Sequence, residues 1–388
     1  MSKEEERIYE GEHGWANQIC MKILARLGDL FGAKRLIPIN SAHISGVSYK
    51  TLGDAPARFL EDLADANVKA KVEATLNPQS FDPEYLSARL PKHVLKNQWN
   101  ILKQFERIGL RMSLTCTPYY LQKPRRGTHL AWSESSAVVY ANSVLRAWTN
   151  REGGPSALAS AIIGKTPDYG MHRAENRQPS ILVKLGTSLQ NEAEFGALGI
   201  YLGQILKDEI PAIQGLAHPS NTELKQFGAA LATTGMASSF CIKTAQEMNG
   251  TEDVAIDSRV IEKTVDCLST AADAKPDLVF IGCPHCSLEE IRQIALLMDG
   301  KKVRKETELW ICTSRHVKRR AEDYVKEIER RGGHVLTDMC TIVSWTDTLG
   351  IETIMTNSAK TAYYAPTLNK AGTIFAPLTQ CLQRILEG

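Results

Sequence analysis

No apolar run in this chain reaches the roughly 18 to 20 residues that a membrane-spanning helix requires. The first residues, Met1-Ser2-Lys3-Glu4-Glu5-Glu6-Arg7, lack the apolar core of a secretory signal. A cytoplasmic chain without membrane contact is therefore expected. An excess of one charge is missing too: 46 Lys and Arg stand against 44 Asp and Glu, a net charge of +2. Binding a phosphate backbone needs a basic surplus, so no nucleic-acid partner is expected. Four catalytic signatures are also lacking. There is no G-x-x-x-x-G-K-[ST], no G-x-G-x-x-G behind a strand, no H-E-x-x-H and no G-x-S-x-G. Nucleotide-binding and simple hydrolase readings lose support accordingly.

Cysteine is present, but in an odd number. Nine are scattered at positions 20, 116, 241, 267, 283, 286, 312, 340 and 381. That pattern speaks for reduced thiols rather than a disulfide framework, with cluster or metal ligation open to some of them. At 388 residues the chain exceeds what one core usually spans, about 250 to 300 residues, so two or three units are expected. The expected division is an N-terminal α/β region at 1–110, a central α/β region at 111–250 carrying Cys116, and a C-terminal α/β domain at 251–388 carrying Cys283 and Cys340. These regions can interleave.

Ile19, Ile23, Leu24, Leu27 and Leu30 give Glu4 to Phe31 a helical stripe, and Leu95, Trp99, Leu102 and Phe105 do the same for Lys92 to Ile108. Capping residues at Trp132 to Ser136 open a helix predicted over Ala137 to Ala147. A polar loop is expected from Asn40 to Thr51. A strand is expected from Leu110, leaving Cys116 at its tip before Pro118. Beyond residue 250, strands ending near Ile281, Cys312, Asp338 and Met355 alternate with helical sequence, as in a parallel sheet. Ligands of open α/β sheets gather outside the carboxyl ends of the strands. The loops at 283–287, 313–315, 339–341 and 356–360 should therefore share one rim. In Ile281-Gly282-Cys283-Pro284-His285-Cys286-Ser287 a strand is expected to hand over to a helix N-terminus, a place that lowers a thiol's pKa.

Six ordered segments resemble the aconitase X family over nearly the whole chain. They are Ser41 to Thr51, Thr115-Cys116-Thr117-Pro118-Tyr119, Glu134 to Ser143, Thr149-Asn150-Arg151, Gly282-Cys283-Pro284-His285 and Thr356 to Lys360. The resemblance implies an aconitase-like α/β fold, several α/β/α domains around a central cleft, without the swivelling domain. A separate small subunit would supply that domain. It further implies an iron–sulfur cluster, 4Fe-4S with one open iron, held by Cys116, Cys283 and Cys340, with Cys286 as the alternative ligand. The other five cysteines are expected to be packing.

The implied reaction is that of a hydro-lyase. In the archaeal branch this is loss of water from (R)-5-phosphomevalonate to give trans-anhydromevalonate 5-phosphate in a mevalonate pathway. The alternatives are dehydration of another hydroxy acid such as cis-3-hydroxy-L-proline, or a non-catalytic iron–sulfur protein. By aconitase logic the base lies on the partner subunit, with Ser45, Ser135 or Ser358 as substitutes in this chain. His285 would donate to the leaving hydroxyl or cap its helix. Lys50, Arg151, Arg177 and Lys360 would meet a carboxylate and a phosphate, and Asn77, Asn142, Asn150 and Asn357 would orient hydroxyls. Gly46, Tyr49 and Ser358 complete the expected substrate-binding set.

Overall fold

The structure, a computed structural model, describes residues 1–243 and 253–387. It is organised as two units, Met1–Gln79 with Pro91–Gln178, and Ser80–Leu90 with Pro179–Gly388. The first unit holds five short strands: β1 (Leu36–Pro38), β2 (Ser41–Ile44), β3 (Glu73–Leu76), β4 (Leu130–Trp132) and β5 (Lys165–Pro167). β1 and β5 pair antiparallel, while β2 runs between β3 and β4, parallel to both. Because β4 returns to pair with β2, the boundary expected at 110/111 falls inside this unit. The one expected at 250/251 lies outside the described residues.

Four local expectations differ from the structure, one being the helix predicted over Ala137 to Ala147, which spans Ser135–Ser143. The helix expected over Glu4 to Phe31 is two helices, Lys3–Glu10 and Trp15–Leu30. Gly11 and Gly14, at φ 95° and 86°, make the break that other residues would resist. The polar loop after Ile39 begins instead as β2, of which Ala42, His43 and Ile44 are all buried. No strand forms from Leu110 to Cys116. Arg111 makes a single bridge to Thr75, and Leu114 turns to φ 41°, which ends any extended run. Cys116 is instead placed by the backbone hydrogen bond of its neighbour, from Thr115 N to Leu76 O at 2.9 Å. Met21, Leu24, Leu63, Leu76, Ile108 and Ile162 form the centre of this unit's core.

The second unit contains β6 (Ile181–Leu185), β7 (Pro211–Gln214), β8 (Cys241–Ile242), β9 (Asp253–Ile256), β10 (Leu278–Cys286), β11 (Lys302–Val303), β12 (Glu308–Thr313), β13 (Gly333–Thr337), β14 (Thr353–Thr356), β15 (Gly372–Phe375) and β16 (Leu386–Glu387). Two parallel sheets result, ordered β8-β7-β6-β9 and β13-β12-β10-β14-β15. All of β10 is buried, as expected for a central parallel strand covered on both faces. The edge strand β13 is covered by the segment Ser80–Leu90. Asp82 accepts from Thr337 N at 2.7 Å, and the Tyr85 ring stacks on His334 at 4.2 Å. An open strand edge is a template for unwanted pairing, and this segment closes it. Among the described residues no helix is long and apolar enough to cross a membrane.

Candidate active site

In the second unit the motif residues form a bulge inside β10 rather than a loop after it. Ile281 pairs with Ile311 and Cys286 with Thr313, so the four residues between them stand opposite one residue of β12. Gly282 makes the outward turn at φ 114°. β10 then resumes, and Ser287 caps the helix Leu288–Leu297 through a capping box with Glu290. The Glu290 and Ser287 amides are thereby bonded at 3.2 and 2.8 Å within the box. Cys283 lies outside this helix terminus, and its acidity has another cause.

That cause is the rim expected from the strand order. Cys340 follows β13 and hydrogen-bonds Cys283, while the charge of Lys360 and the hydroxyls of Thr361 and Ser358 lie beside it. Together they outweigh burial and pull the Cys283 thiol down to about 6, with the Cys340 hydrogen bond the largest contribution. Ser358 also caps the helix Ala359–Tyr364, accepting from Thr361 N at 3.2 Å. His285 is buried, with Nε2 at 2.8 Å from Met339 O. A carbonyl only accepts, so Nε2 carries the proton, and the bond ties the Cys283 bulge to the Cys340 loop. Helix capping, one role expected of His285, belongs to Ser287. In metal-free protein Cys340→Ala should move the Cys283 pKa upward, toward the ordinary thiol range. The pH dependence of Cys283 alkylation, read by mass spectrometry, checks this; an unmoved profile would mean the two thiols do not meet.

Asn357 is buried beside them, its Nδ2 donating to Glu192 Oε1 at 3.1 Å, and Oδ1 has no hydrogen-bond partner. Cys286 is buried one strand position beyond the bulge, and its carbonyl accepts from Thr313 Oγ1. Of the cysteines expected to be packing, Cys20, Cys312 and Cys381 are buried. Cys241 is half-buried and Cys267 exposed, since each sits where its strand or helix faces outward.

In the first unit the carboxyl ends of β2, β3 and β4 gather a second group. His43 is wholly buried, with Nδ1 at 2.7 Å from Thr75 Oγ1 and Nε2 at 3.4 Å from Asn77 Oδ1. Asn77 Nδ2 donates to Glu134 Oε2 at 2.7 Å, and Ser136 Oγ to Glu134 Oε1 at 2.9 Å. Ser45 N donates to Ser133 Oγ at 2.6 Å, and Gly46 follows at φ 76°. Ser135 opens the helix Ser135–Ser143 behind its cap Glu134. Cys116, beside Leu76, stands at the same end of β3.

Burial depresses His43 to about 4 and His172 to about 3. The native chain therefore keeps both rings neutral while the unfolded chain takes up protons below pH 6.5. Stability is complete above pH 6.5 and declines as the pH falls toward 4, by roughly 3 kcal/mol for His43. His43→Gln should flatten this slope between pH 7 and pH 5. Urea midpoints that drop equally in wild type and variant would contradict it.

The remaining expected substrate residues are placed differently. Asn142 clasps Thr149 through both ends of its amide, at 2.9 and 3.1 Å. Arg177 gives its guanidinium to Asn142 Oδ1, Asn142 O, Met171 O and Ala147 O, and lies over the Trp148 ring. Asn150 bridges Tyr169 O and Met171 N. These three side chains hold loops together. Tyr49 bonds Asp54 through its hydroxyl, and Lys50 and Arg151 are half-buried. The sequence reading gave no role to His43, Thr361 or Glu192 and read Glu134 only as a helix cap, which it is. His43 had a signal, an imidazole inside a short β-run.

The chain matches the aconitase X first domain at residues 1–175, the second domain at 179–266 and the third at 276–387. It belongs to the aconitase X family. A solved relative, Thermococcus kodakaraensis aconitase X in its holo-form, superposes with a TM-score of 0.92 at 36% identity, covering 99% of both chains. The phosphomevalonate dehydratase large subunit of Methanocaldococcus jannaschii is 44% identical, with 99% of each chain covered. That of Methanosarcina mazei is 40% identical, over 100% of this chain and 97% of the relative. The cis-3-hydroxy-L-proline dehydratase of Pseudomonas aeruginosa is 32% identical over 99% of this chain but only 69% of its own length. The aconitase-like α/β fold expected from the sequence is thus the fold of this family member.

Among the described residues no three His, Cys, Asp or Glu side chains form a ready metal site. The donor chemistry of the second unit nevertheless suits an iron–sulfur group. Two thiols are in contact and one ionises near neutral pH, and thiolate is the form such clusters bind.

Proposed function

We propose that this aconitase X chain is the large, catalytic subunit of a phosphomevalonate dehydratase, a hydro-lyase that works in the cytoplasm with a small subunit. The contact between Cys283 and Cys340, beside Lys360, Ser358 and Thr361, carries the reading. Its substrate is (R)-5-phosphomevalonate, supported by five archaeal relatives of that name at 37% to 44% identity. The relatives' name, large subunit, supports a separate small partner.

Cys283, Cys340 and Cys116 would hold a 4Fe-4S cluster whose open iron supplies Lewis acidity toward the substrate's hydroxyl. Around it the chain's own residues bind and orient. Lys360 offers a positive charge to an anionic group of the substrate, and Ser358 and Asn357 offer hydrogen bonds. In the first unit, Asn77 is held by Glu134 at the end of β3. Removal of the C2 proton falls to a base on the small subunit.

The test is anaerobic reconstitution with iron and sulfide, followed by assays with the small subunit on (R)-5-phosphomevalonate and cis-3-hydroxy-L-proline in parallel. Turnover of the first is expected, with Cys283→Ala losing iron and on the order of 10³-fold in rate. Turnover of the proline alone would reassign the substrate. Iron bound without any dehydration would leave an iron–sulfur protein that is not this enzyme.

A further inference from the structure

We infer that Lys225 is a positioning residue for the cysteine pair, holding the backbone of the Cys283 bulge from a neighbouring helix. Lys225 lies on the helix Asn221–Thr234 and is only 1% exposed. Its Nζ is 3.0 Å from His285 O, 3.5 Å from Pro284 O and 2.6 Å from Glu290 Oε2. The three protons of an ammonium thus meet three acceptors, two of them the consecutive peptide carbonyls that follow Cys283. Glu290 is itself fixed, because its carboxylate accepts from Ser287 N at 2.8 Å.

A buried ion pair is a poor choice if the purpose is only to join two helices. An apolar pair of similar size would hold them as well or better. The charge adds a directed grip on two particular carbonyls. On the other side of Cys283, Gly282 is pressed against the β12 backbone, where an added Cβ would come 2.9 Å from Cys312 N. The thiol is therefore fixed from both sides. The grip extends further, since His285 Nε2 donates to Met339 O, one residue before Cys340. Through one ring and two peptides, Lys225 sets the spacing of both thiols. Lys225 belongs to the second family domain, whereas both cysteines belong to the third. The second domain thereby acquires a part in the site it does not line with thiols.

The importance of this spacing rests on the proposed cluster ligation, but the spacing itself can be tested in metal-free protein. The probe is phenylarsine oxide, which forms two As–S bonds with two neighbouring thiols and releases its oxygen as water. In wild type, tight binding should disappear in Cys283→Ala and in Cys340→Ala. The double variant Lys225→Met with Glu290→Gln removes both charges together. It should keep its circular dichroism and unfolding midpoint near those of wild type while binding the arsenical at least ~10-fold more weakly, because chelation depends on the effective concentration of the second thiol. Lys225→Gln with Glu290→Gln is the milder variant: it shortens the reach to both carbonyls, and the same weakening is expected. Wild-type affinity in either folded double variant overturns the inference, as does wild-type binding that ignores Cys283 or Cys340. Failure of wild type to take up iron and sulfide would instead strike the cluster reading and leave the arsenical result standing.

Discussion

Gly282→Ala is expected to destabilise the protein by about 4 kcal/mol and to disperse the Cys283–Cys340 pair. Two costs combine. The backbone at Gly282 has φ 114°, a conformation that side-chain-bearing residues rarely adopt. The added Cβ would also collide with Cys312 O, on the backbone of β12. A flexible side chain could swing away, but a strand bonded to both neighbours cannot. β12 is held by β10 on one side and β13 on the other, so relief must come from the bulge itself, and Cys283 moves with it. Gly300→Ala provides the comparison, because Gly300 also has a positive φ, 72°, yet nothing lies within 4 Å of its added Cβ. Only backbone strain of about 1 to 2 kcal/mol applies there. Urea unfolding of the two metal-free variants, with Cys283 alkylation read in parallel, separates strain from collision. Equal losses would mean that the close approach to Cys312 is not what makes glycine necessary at 282.

Lys225→Met alone should cost about 3 to 5 kcal/mol, a loss in the same range. Removing the ammonium leaves the Glu290 carboxylate 6% exposed, with only the Ser287 amide among its bonds in the capping box. An uncompensated buried charge is what makes breaking such a pair expensive, far more than the net worth of the pair itself. Adding Glu290→Gln should therefore restore most of the loss, since the amide oxygen can still accept from Ser287 N. The double-mutant cycle should give a large coupling energy, as side chains in direct contact do. If the two single changes simply add, the 2.6 Å contact between Lys225 and Glu290 does not exist in solution.

Local pattern was enough to place much of this molecule. The strand expected to end near Ile281 and the helix expected after Ser287 correspond to β10 and the helix Leu288–Leu297. The strands ending near Cys312, Asp338 and Met355 are β12, β13 and β14, parallel as the alternation implied. The rule that ligands collect at strand carboxyl ends brought Cys283, Cys340 and the 356–360 loop together, and in the structure these loops do meet. Where pattern failed, the cause was a non-local contact or a single backbone angle. Gly11 and Gly14 broke the helix expected from Glu4 to Phe31, and Leu114 turned a strand-like run into a loop.

Residue chemistry was harder to read than residue position. Arg177, Asn142 and Asn150 have the right side chains for a substrate site, yet their hydrogen-bonding groups meet backbone and one another. A guanidinium suits peptide carbonyls as well as carboxylates, and nothing in neighbouring residues distinguishes the two. Lys225 shows the converse, because its position in a helix suggests a solvated face, whereas the fold encloses it.

Neighbouring residues alone mark the α/β alternation, the parallel strands of the C-terminal half and the cysteines at strand ends, since each depends on residues near one another in the chain. That the acidity of Cys283 comes from Cys340 and Lys360 rather than from the helix that follows it emerges only in the folded chain. So does the double service of Glu290 as a cap and as the counter-ion of Lys225. Electrostatic shifts and buried pairings depend on distances of a few ångströms between residues tens of positions apart, and those distances exist only once the sheets have formed.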